Sequence, residues 1–201
     1  MNIAVLCSGN GSNLQAIIDA VENGYIRSKI AIVISDNKNA YALKRADKAG
    51  IETLVLDPKY FKTREAFDKE VAKSLEKKKI GLVVLAGFMR LLSPYFVRHY
   101  KNSIMNIHPA LLPSFKGSHA IKDTIRYGAK VTGATVHFVD EKLDNGPIIL
   151  QKAVDVRSGD NEKTLLKRVH KLEHDIYPKA IKLFVEGKLK IEDRAVKTRK
   201  E

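Results

Sequence analysis

The run that decides the fold is Leu82-Val83-Val84-Leu85-Ala86. All five residues are apolar, so both faces of this predicted strand are expected to be covered. Further strand-like runs precede it at residues 3–6, 30–34 and 53–56, and stretches with helical apolar spacing separate them. Strands that alternate with helices predict an α/β fold, with a mostly parallel central sheet and helices on both faces.

The composition indicates one folded domain. Of the 201 residues, 44% are hydrophobic and 29% are charged, which is ordinary for a globular protein. We predict a single Rossmann-like catalytic domain over residues 1–191 and a basic, frayed tail over residues 192–201. No apolar run reaches membrane-spanning length, no signal-peptide pattern is visible, and the lone Cys7 has no internal disulfide partner, so a cytoplasmic location is expected.

The charge balance is strongly basic. Thirty-six Lys and Arg residues against 23 Asp and Glu give a formal net charge of +13, which attracts anionic ligands such as phosphorylated metabolites, poly-acidic cofactors and nucleic acid. A lysine-rich solvated surface is the simpler reading. The sequence shows neither zinc-binding cysteine pairs nor an aromatic RNA-binding signature, so a nonenzymatic nucleotide- or nucleic-acid-binding module rests on charge alone.

A glycine loop, Ser8-Gly9-Asn10-Gly11-Ser12-Asn13, follows the first strand and opens a helix. Its amides are able to converge on an anion that the helix dipole also favours. Leu14 replaces the third glycine of a dinucleotide fingerprint, and no Walker A lysine follows, so a phosphate of a smaller ligand is favoured over NAD or ATP. Asp36 ends the second strand where a ribose-binding carboxylate would lie, which leaves a dinucleotide open. A turn that needs glycine only for its backbone remains the alternative.

A second polar stretch is Asn106-Ile107-His108-Pro109. Side chains alternate along a strand, so Asn106 and His108 share a face, and both are suited to donate to a developing oxyanion. Pro109 ends the strand pairing. The alternative is a hydrogen-bonded core pair. Asp144 is either a turn former or, if the fold brings it beside His108, a carboxylate that favours the charged imidazolium.

Three further features of the sequence bear on catalysis. Residues 170–174 spell H-x-x-E-H, but the short sequence after them offers no clear third zinc ligand, so we predict no metal and favour a solvated or substrate-contacting helix face. His137, within a predicted strand, is expected to be buried and hydrogen-bonded. Thiol catalysis by Cys7 is disfavoured because nothing nearby in the sequence would lower its pKa.

Together these segments resemble the phosphoribosylglycinamide formyltransferases, a branch of the folate-dependent formyltransferase family. The resemblance is carried by residues 8–17, 84–90, 106–113, 132–137 and 144–147, in the family's order. It implies direct transfer of a formyl group from 10-formyltetrahydrofolate to the amine of glycinamide ribonucleotide, in purine biosynthesis and without a covalent enzyme intermediate. Asp36 departs from the family, where Asn is expected in many relatives.

The resemblance also implies roles for individual residues. The expected catalytic residues are Asn106, His108 and Asp144. The residues expected to hold the ribonucleotide phosphate and glycinamide are Gly11, Ser12, Asn13, His170, Lys171, Leu172 and Glu173. The residues expected to line the folate are Arg64, Met89, Arg90, Leu91, Leu92, Asn106, Asp140, Glu141, Lys142, Leu143 and Asp144.

The expected partners are small molecules: glycinamide ribonucleotide, with 10-formyltetrahydrofolate as co-substrate. Neither a membrane nor nucleic acid is expected, and the chain is expected to be a monomer or a homodimer. A formyltetrahydrofolate hydrolase, or deformylase, is the alternative enzyme, although that branch normally carries an additional N-terminal domain. Methionyl-tRNA formyltransferases normally carry an additional C-terminal domain, for which the sequence after Pro147 is too short.

Overall fold

The computed structural model describes residues 1–199. It divides into two compact units, residues 1–106 and residues from Ile107 onward. Within the described residues no helix is both long enough and apolar enough to cross a membrane.

The first unit alternates strands and helices as the sequence predicts. Its elements are β1 (Asn2–Cys7), α1 (Ser12–Glu22), β2 (Lys29–Ser35), α2 (Tyr41–Lys48), β3 (Thr53–Val55), a 3-10 turn (Pro58–Tyr60), α3 (Arg64–Lys77), β4 (Ile80–Leu85), α4 (Pro94–His99) and β5 (Ile104–His108). The chain passes into the second unit within β5.

The strands of the first unit are parallel, in the order β3-β2-β1-β4-β5. The central strands β1 and β4 are apolar, and Leu82, Val83 and Val84 are completely buried, as the opening run predicts. The chain runs outward from β1 to β3 and then returns to place β4 on the other side of β1. The direction of winding therefore reverses between β1 and β4, and ligands of open α/β sheets bind beyond the carboxyl ends of the strands at such a point.

The second unit combines an antiparallel strand pair with a long helix. Its remaining elements are α5 (Ala120–Tyr127), β6 (Val131–Phe138), β7 (Ile148–Asp155), α6 (Glu162–Val185), β8 (Leu189–Glu192) and β9 (Ala195–Thr198). Strands β6 and β7 pair antiparallel, β8 and β9 form an antiparallel hairpin, and β9 meets β7 in parallel through Ile148 and Ala195. Helix α6 packs against β6 and β7.

Helix α6 begins with a capping box between Asn161 and Thr164 and continues through the buried Pro178, although proline ordinarily kinks or ends a helix. The tail predicted to be frayed over residues 192–201 instead forms strand pairs as far as Thr198. These strands are short and rich in charge, so their local pattern did not indicate a strand. Residues 200–201 lie outside the described residues.

Gly133 provides a test of the β6–β7 packing. A Cβ atom added there would lie 2.0 Å from the carbonyl oxygen of Lys152. We expect Gly133→Ala to lower the free energy of unfolding by about 3 kcal/mol, because two main chains must separate to admit the methyl group. Urea denaturation measures the change. Gly159→Ala, at a loop position with open space around it, is the matched control, and equal effects of the two substitutions would contradict the packing argument.

Candidate active site

Two predicted ligand loops meet at the carboxyl ends of β1 and β4 in the first unit. The backbone N–H of Ser8 donates to the carbonyl of Gly87 at 3.1 Å. The Ser8 hydroxyl oxygen accepts from the backbone N–H of Met89 at 2.9 Å. The predicted phosphate loop and the predicted folate loop, residues 89–92, are thus joined where the sheet reverses its winding.

The phosphate loop ends in an uncapped helix N-terminus. Gly11 has φ 74°, a left-handed conformation, and a Cβ atom there would lie 2.6 Å from the Cβ of Ala42. Glycine is therefore required by both backbone geometry and space. Helix α1 has no side-chain cap at Gly11 and no acidic residue in its first turn. Its first amides and its dipole suit an anion, as the phosphate hypothesis for Gly11, Ser12 and Asn13 requires.

Helix α2 braces this loop from the side. The Arg45 guanidinium donates to the backbone carbonyl of Asn10 at 3.0 Å and to its side-chain oxygen at 3.2 Å. It also lies 4.9 Å from the ring centre of Tyr41. The Asn37 side chain donates to the carbonyl of Ser8 at 3.2 Å. Sequence analysis missed these contacts, since an arginine on a polar helix face has no local feature that marks its partner.

The loop from Met89 to Leu92 is anchored at its ends while its apolar side chains are exposed. Met89 is 72% exposed and Leu91 is 56% exposed. The Arg90 guanidinium lies 4.8 Å from the ring centre of Phe67, and the backbone N–H of Ser93 donates to Asp68 at 2.5 Å. Burial raises the pKa of Asp68, against the opposing effect of the Ser93 hydrogen bonds. Arg64 is the exposed first residue of α3. Exposed apolar side chains on a held loop suit contact with a planar ring.

His108 and Asp144 meet in the second unit. His108 ends β5 and is 4% exposed. Its Nδ1 lies 3.4 Å from Oδ2 of Asp144, and its Nε2 lies 2.8 Å from the carbonyl oxygen of Phe115. A carbonyl oxygen only accepts hydrogen bonds, so Nε2 carries a hydrogen in this contact. The other ring nitrogen, Nδ1, faces a carboxylate oxygen, so both ring nitrogens of His108 lie against oxygen acceptors.

The same geometry changes what the imidazole can do as an oxyanion donor. In this conformation the Nε2–H of His108 is directed at the Phe115 carbonyl. An oxyanion must therefore share this hydrogen bond with the carbonyl or replace the carbonyl as its acceptor. Phe115 has φ 50° and Asp144 has φ 43°, so both partners of His108 occupy the left-handed region that non-glycine residues rarely adopt. Strained backbone of this kind is concentrated at functional sites. Sequence reasoning missed Phe115 because it acts through a backbone carbonyl.

The loop that carries Asp144 is tightly fixed. Oδ2 of Asp144 accepts from the backbone N–H of Gly117 at 2.8 Å. Asp140 accepts from the backbone N–H of Lys142 at 3.0 Å and from the side chain of Asn145 at 2.8 Å. A Cβ atom at Gly146 would lie 1.9 Å from the carbonyl oxygen of Phe138. Of the other residues expected in the folate site, Glu141 and Leu143 are exposed.

His137 is buried and hydrogen-bonded, as predicted. It is 2% exposed, and its Nδ1 lies 2.7 Å from the carbonyl oxygen of Phe138. Its Nε2 is 3.9 Å from Oδ1 of Asp144, beyond hydrogen-bonding distance. Burial lowers the pKa of His137, with Asp144 acting in the opposite direction. His137 therefore borders the Asp144 carboxylate as a neutral imidazole.

The predicted substrate-contacting span of α6 combines one buried carboxylate with stacked imidazoles. Glu173 is 3% exposed, and its Oε2 lies 3.9 Å from Nε2 of the half-buried His170. The His170 and His174 rings stack with their centres 6.2 Å apart. Burial lowers the pKa of His170, and His174 adds to the effect. Lys171 is exposed and Leu172 half-buried. Over residues 1–199 no group of three or more His, Cys, Asp or Glu side chains is arranged to hold a metal ion.

Cys7 is unsuited to nucleophilic catalysis. It is completely buried, and burial together with the charge of Asp36 raises the pKa of its thiol to about 12. The thiol is therefore protonated at neutral pH, whereas the thiolate is the nucleophilic form.

The lowered pKa of His137 predicts a pH-dependent stability. In the unfolded chain the His137 imidazole binds a proton with a pKa near the ordinary value of 6.5. The folded chain binds this proton only at lower pH. The free energy of unfolding therefore falls as the pH drops through 6.5, by about 1.4 kcal/mol per pH unit, until the folded pKa is reached. We expect His137→Gln to weaken this fall in urea denaturation between about pH 8 and about pH 5, while the exposed control His119→Gln keeps it. An unchanged pH dependence in His137→Gln would refute the assignment.

Comparison with known proteins identifies the family. The formyl transferase family model matches residues 1–181. The chain is 47% identical over 195 residues to the phosphoribosylglycinamide formyltransferase of Escherichia coli, which covers 97% of this chain and 92% of that protein. It is 40% identical over 179 residues to the protein of the same name from Bacillus subtilis, in an alignment that covers 89% of this chain and 92% of that protein. The crystal structure of glycinamide ribonucleotide transformylase 1 from Symbiobacterium toebii superposes with a TM-score of 0.98 at 47% identity, over 100% of this chain and 94% of that one. The predicted α/β fold class is confirmed, and the chain belongs to the formyl transferase family.

Proposed function

We propose that this chain transfers the formyl group of 10-formyltetrahydrofolate to the amine of glycinamide ribonucleotide, in purine biosynthesis. The observation that carries the proposal is the buried contact between His108 and Asp144 at the end of β5, in a chain of this family. The relatives that bear the name of this activity match nearly the whole chain.

In the proposed reaction the amine nitrogen attacks the formyl carbon. A carbon–nitrogen bond forms, and the carbonyl oxygen becomes the oxyanion of a tetrahedral intermediate. The bond from that carbon to the folate nitrogen then breaks, and the proton lost by the amine passes to the departing nitrogen through a water molecule. No enzyme group becomes covalently attached, which is consistent with the protonated, buried thiol of Cys7.

Asn106 and His108 stabilise the oxyanion in this scheme. The two residues occupy alternate positions of β5 and so project from the same side of the strand. Asp144 keeps the imidazole charged, which strengthens its hydrogen bond to the developing negative charge. The His108 Nε2–H, which lies against the Phe115 carbonyl, donates to the oxyanion when the oxyanion replaces that carbonyl as acceptor.

Two further groups of residues bind the ribonucleotide, one at its phosphate and one at its ribose and glycinamide. The backbone amides of Gly11, Ser12 and Asn13 receive the phosphate at the uncapped start of α1. The span His170, Lys171, Leu172 and Glu173 of α6 contacts the ribose and glycinamide. A buried carboxylate such as Glu173 is a suitable acceptor for an amine hydrogen.

Most of the residues proposed to line the folate lie on two loops, one in the first unit and one in the second. The exposed apolar side chains of Met89 and Leu91 support contact with a pterin ring, with Arg90 and Leu92 beside them and Arg64 nearby at the start of α3. The loop that runs through Asp140, Glu141, Lys142, Leu143 and Asp144 supplies hydrogen-bonding groups at its fixed backbone.

One assay separates this function from its alternatives. Purified protein is mixed with 10-formyltetrahydrofolate, and the release of tetrahydrofolate is followed with and without glycinamide ribonucleotide. Release that depends on the ribonucleotide supports the transferase. Release without it would instead indicate the hydrolase, and no release under either condition would contradict both enzymes.

Removal of either oxyanion donor should slow the reaction. We expect Asn106→Ala and His108→Ala each to lower kcat by about 10²- to 10³-fold, which corresponds to about 2.7–4 kcal/mol of lost transition-state stabilisation. Steady-state kinetics measures the loss, and circular dichroism checks that the variants remain folded. The exposed control His119→Ala should keep wild-type kcat. Near-normal rates in both active-site variants would overturn the assignment.

A negative charge at the start of α1 should oppose the phosphate. We expect Ser12→Asp to raise the KM for glycinamide ribonucleotide at least about tenfold, because about 1.4 kcal/mol of like-charge repulsion is sufficient for that change. The KM for the folate should change little. Ser158→Asp, which adds the same charge at an exposed loop position, is the control. Equal KM values for the ribonucleotide in the two variants would exclude a phosphate at this loop.

A further inference from the structure

The hairpin of β8 and β9 reaches the loop that carries Asp144. Its two-residue turn is Asp193-Arg194, with Asp193 at φ 53°. From this turn Nη2 of Arg194 donates to the backbone carbonyl of Asn145 at 2.6 Å. Asn145 directly follows Asp144, so a cation from the end of the chain holds the peptide unit next to the proposed catalytic carboxylate.

The hairpin is positioned without the help of Arg194. Ala195 pairs with Ile148, the first residue of β7, which comes just after the Asp144 loop. Within the hairpin, Glu192 forms ion pairs with Lys190, at 2.9 Å, and with Lys197. Loss of the Arg194 side chain should therefore leave the hairpin in place.

Asn145 is a junction for both partners of His108. Its side chain donates to Asp140 at 2.8 Å and accepts from Nζ of Lys116 at 3.2 Å, while its carbonyl accepts from Arg194. Lys116 follows Phe115, whose carbonyl lies against Nε2 of His108. Lys116, which follows Phe115, is thus hydrogen-bonded to Asn145, which follows Asp144.

We propose that Arg194 is a positioning residue for Asp144. Its charge-assisted hydrogen bond fixes the Asn145 carbonyl and so keeps the Asp144 carboxylate opposite Nδ1 of His108. Asp144 occupies a left-handed backbone conformation, and such a conformation persists only where the surroundings enforce it. The proposal rests on the proposed function, because turnover reports the position of Asp144.

Arg194→Ala tests the proposal against a matched variant. We expect kcat to fall about tenfold, the effect of losing one hydrogen bond from a charged group, while the KM values of both substrates stay within about twofold. Arg194→Lys, which keeps a cationic donor, should recover part of the loss. The control is Arg199→Ala, which removes the same charge from an exposed side chain just after β9 and leaves its backbone bond to Lys188 intact.

A readout without substrate tests the geometry itself. The backbone N–H of Gly117 donates to Oδ2 of Asp144, so its hydrogen exchange reports whether the carboxylate stays in place. We expect exchange at Gly117 to be about tenfold faster in Arg194→Ala and unchanged in Arg199→Ala. If Arg194→Ala is poorly folded, Arg194→Gln, which keeps a neutral donor, replaces it in both measurements.

Asp144→Asn, measured in parallel, separates a failure of the proposed function from a failure of the positioning role of Arg194. If Asp144→Asn keeps wild-type turnover, the catalytic assignment fails, yet faster Gly117 exchange confined to the Arg194 variant still supports the positioning of Asp144. If Asp144→Asn is inactive and Arg194→Ala has wild-type turnover and exchange, the positioning role is overturned and the proposed function stands. Equal losses in the Arg194 and Arg199 variants would also overturn it, because a general charge effect would then be responsible.

Discussion

The contact between His108 and Asp144 is the constraint that organises the loops of the second unit. The two side chains are 5% and 9% exposed, and polar groups so far from water must be hydrogen-bonded. The Asp144 carboxylate also accepts from the N–H of Gly117, and the Phe115 carbonyl faces the other imidazole nitrogen. Satisfying both ends of this pair requires two loops with left-handed residues, whose conformations cost free energy that the surrounding contacts offset.

The first unit holds its two predicted ligand loops by a different rule. Parallel strands all end at one edge of the sheet, and ligands of open α/β sheets bind at that edge where the direction of winding reverses, as it does between β1 and β4. Ser8 is bonded to both Gly87 and Met89, so the phosphate loop and the apolar loop are held as one structure. Arg45 and the close approach of Ala42 to Gly11 fix the loop from α2. Binding groups that are already ordered lose less conformational entropy when a ligand arrives.

Strong periodic patterns were predicted well, and weak ones were not. Strand β4 is apolar throughout, and the strand predicted around Asn106 and His108 is β5, which ends directly before Pro109. Helix α5 and the β8–β9 hairpin were missed because their short, charged sequences contain too few apolar residues to show a helical or alternating spacing. Proline ordinarily disturbs a helix, yet Pro178 lies buried within the single helix α6, which packs on β6 and β7. Tertiary packing overrides the local preference of one residue.

The sequence alone determined the α/β class and the ends of the strands that bear polar loops, because these depend on periodicity and residue chemistry over short distances. The same local chemistry marked the groups that we propose for an oxyanion and a phosphate. Tertiary structure decided the partners: Phe115 for Nε2 of His108, Arg45 for Asn10, and Arg194 for the carbonyl beside Asp144. Each of these contacts uses a backbone carbonyl, at least as one acceptor. Every residue has that group, so only the folded chain shows which carbonyl a donor reaches.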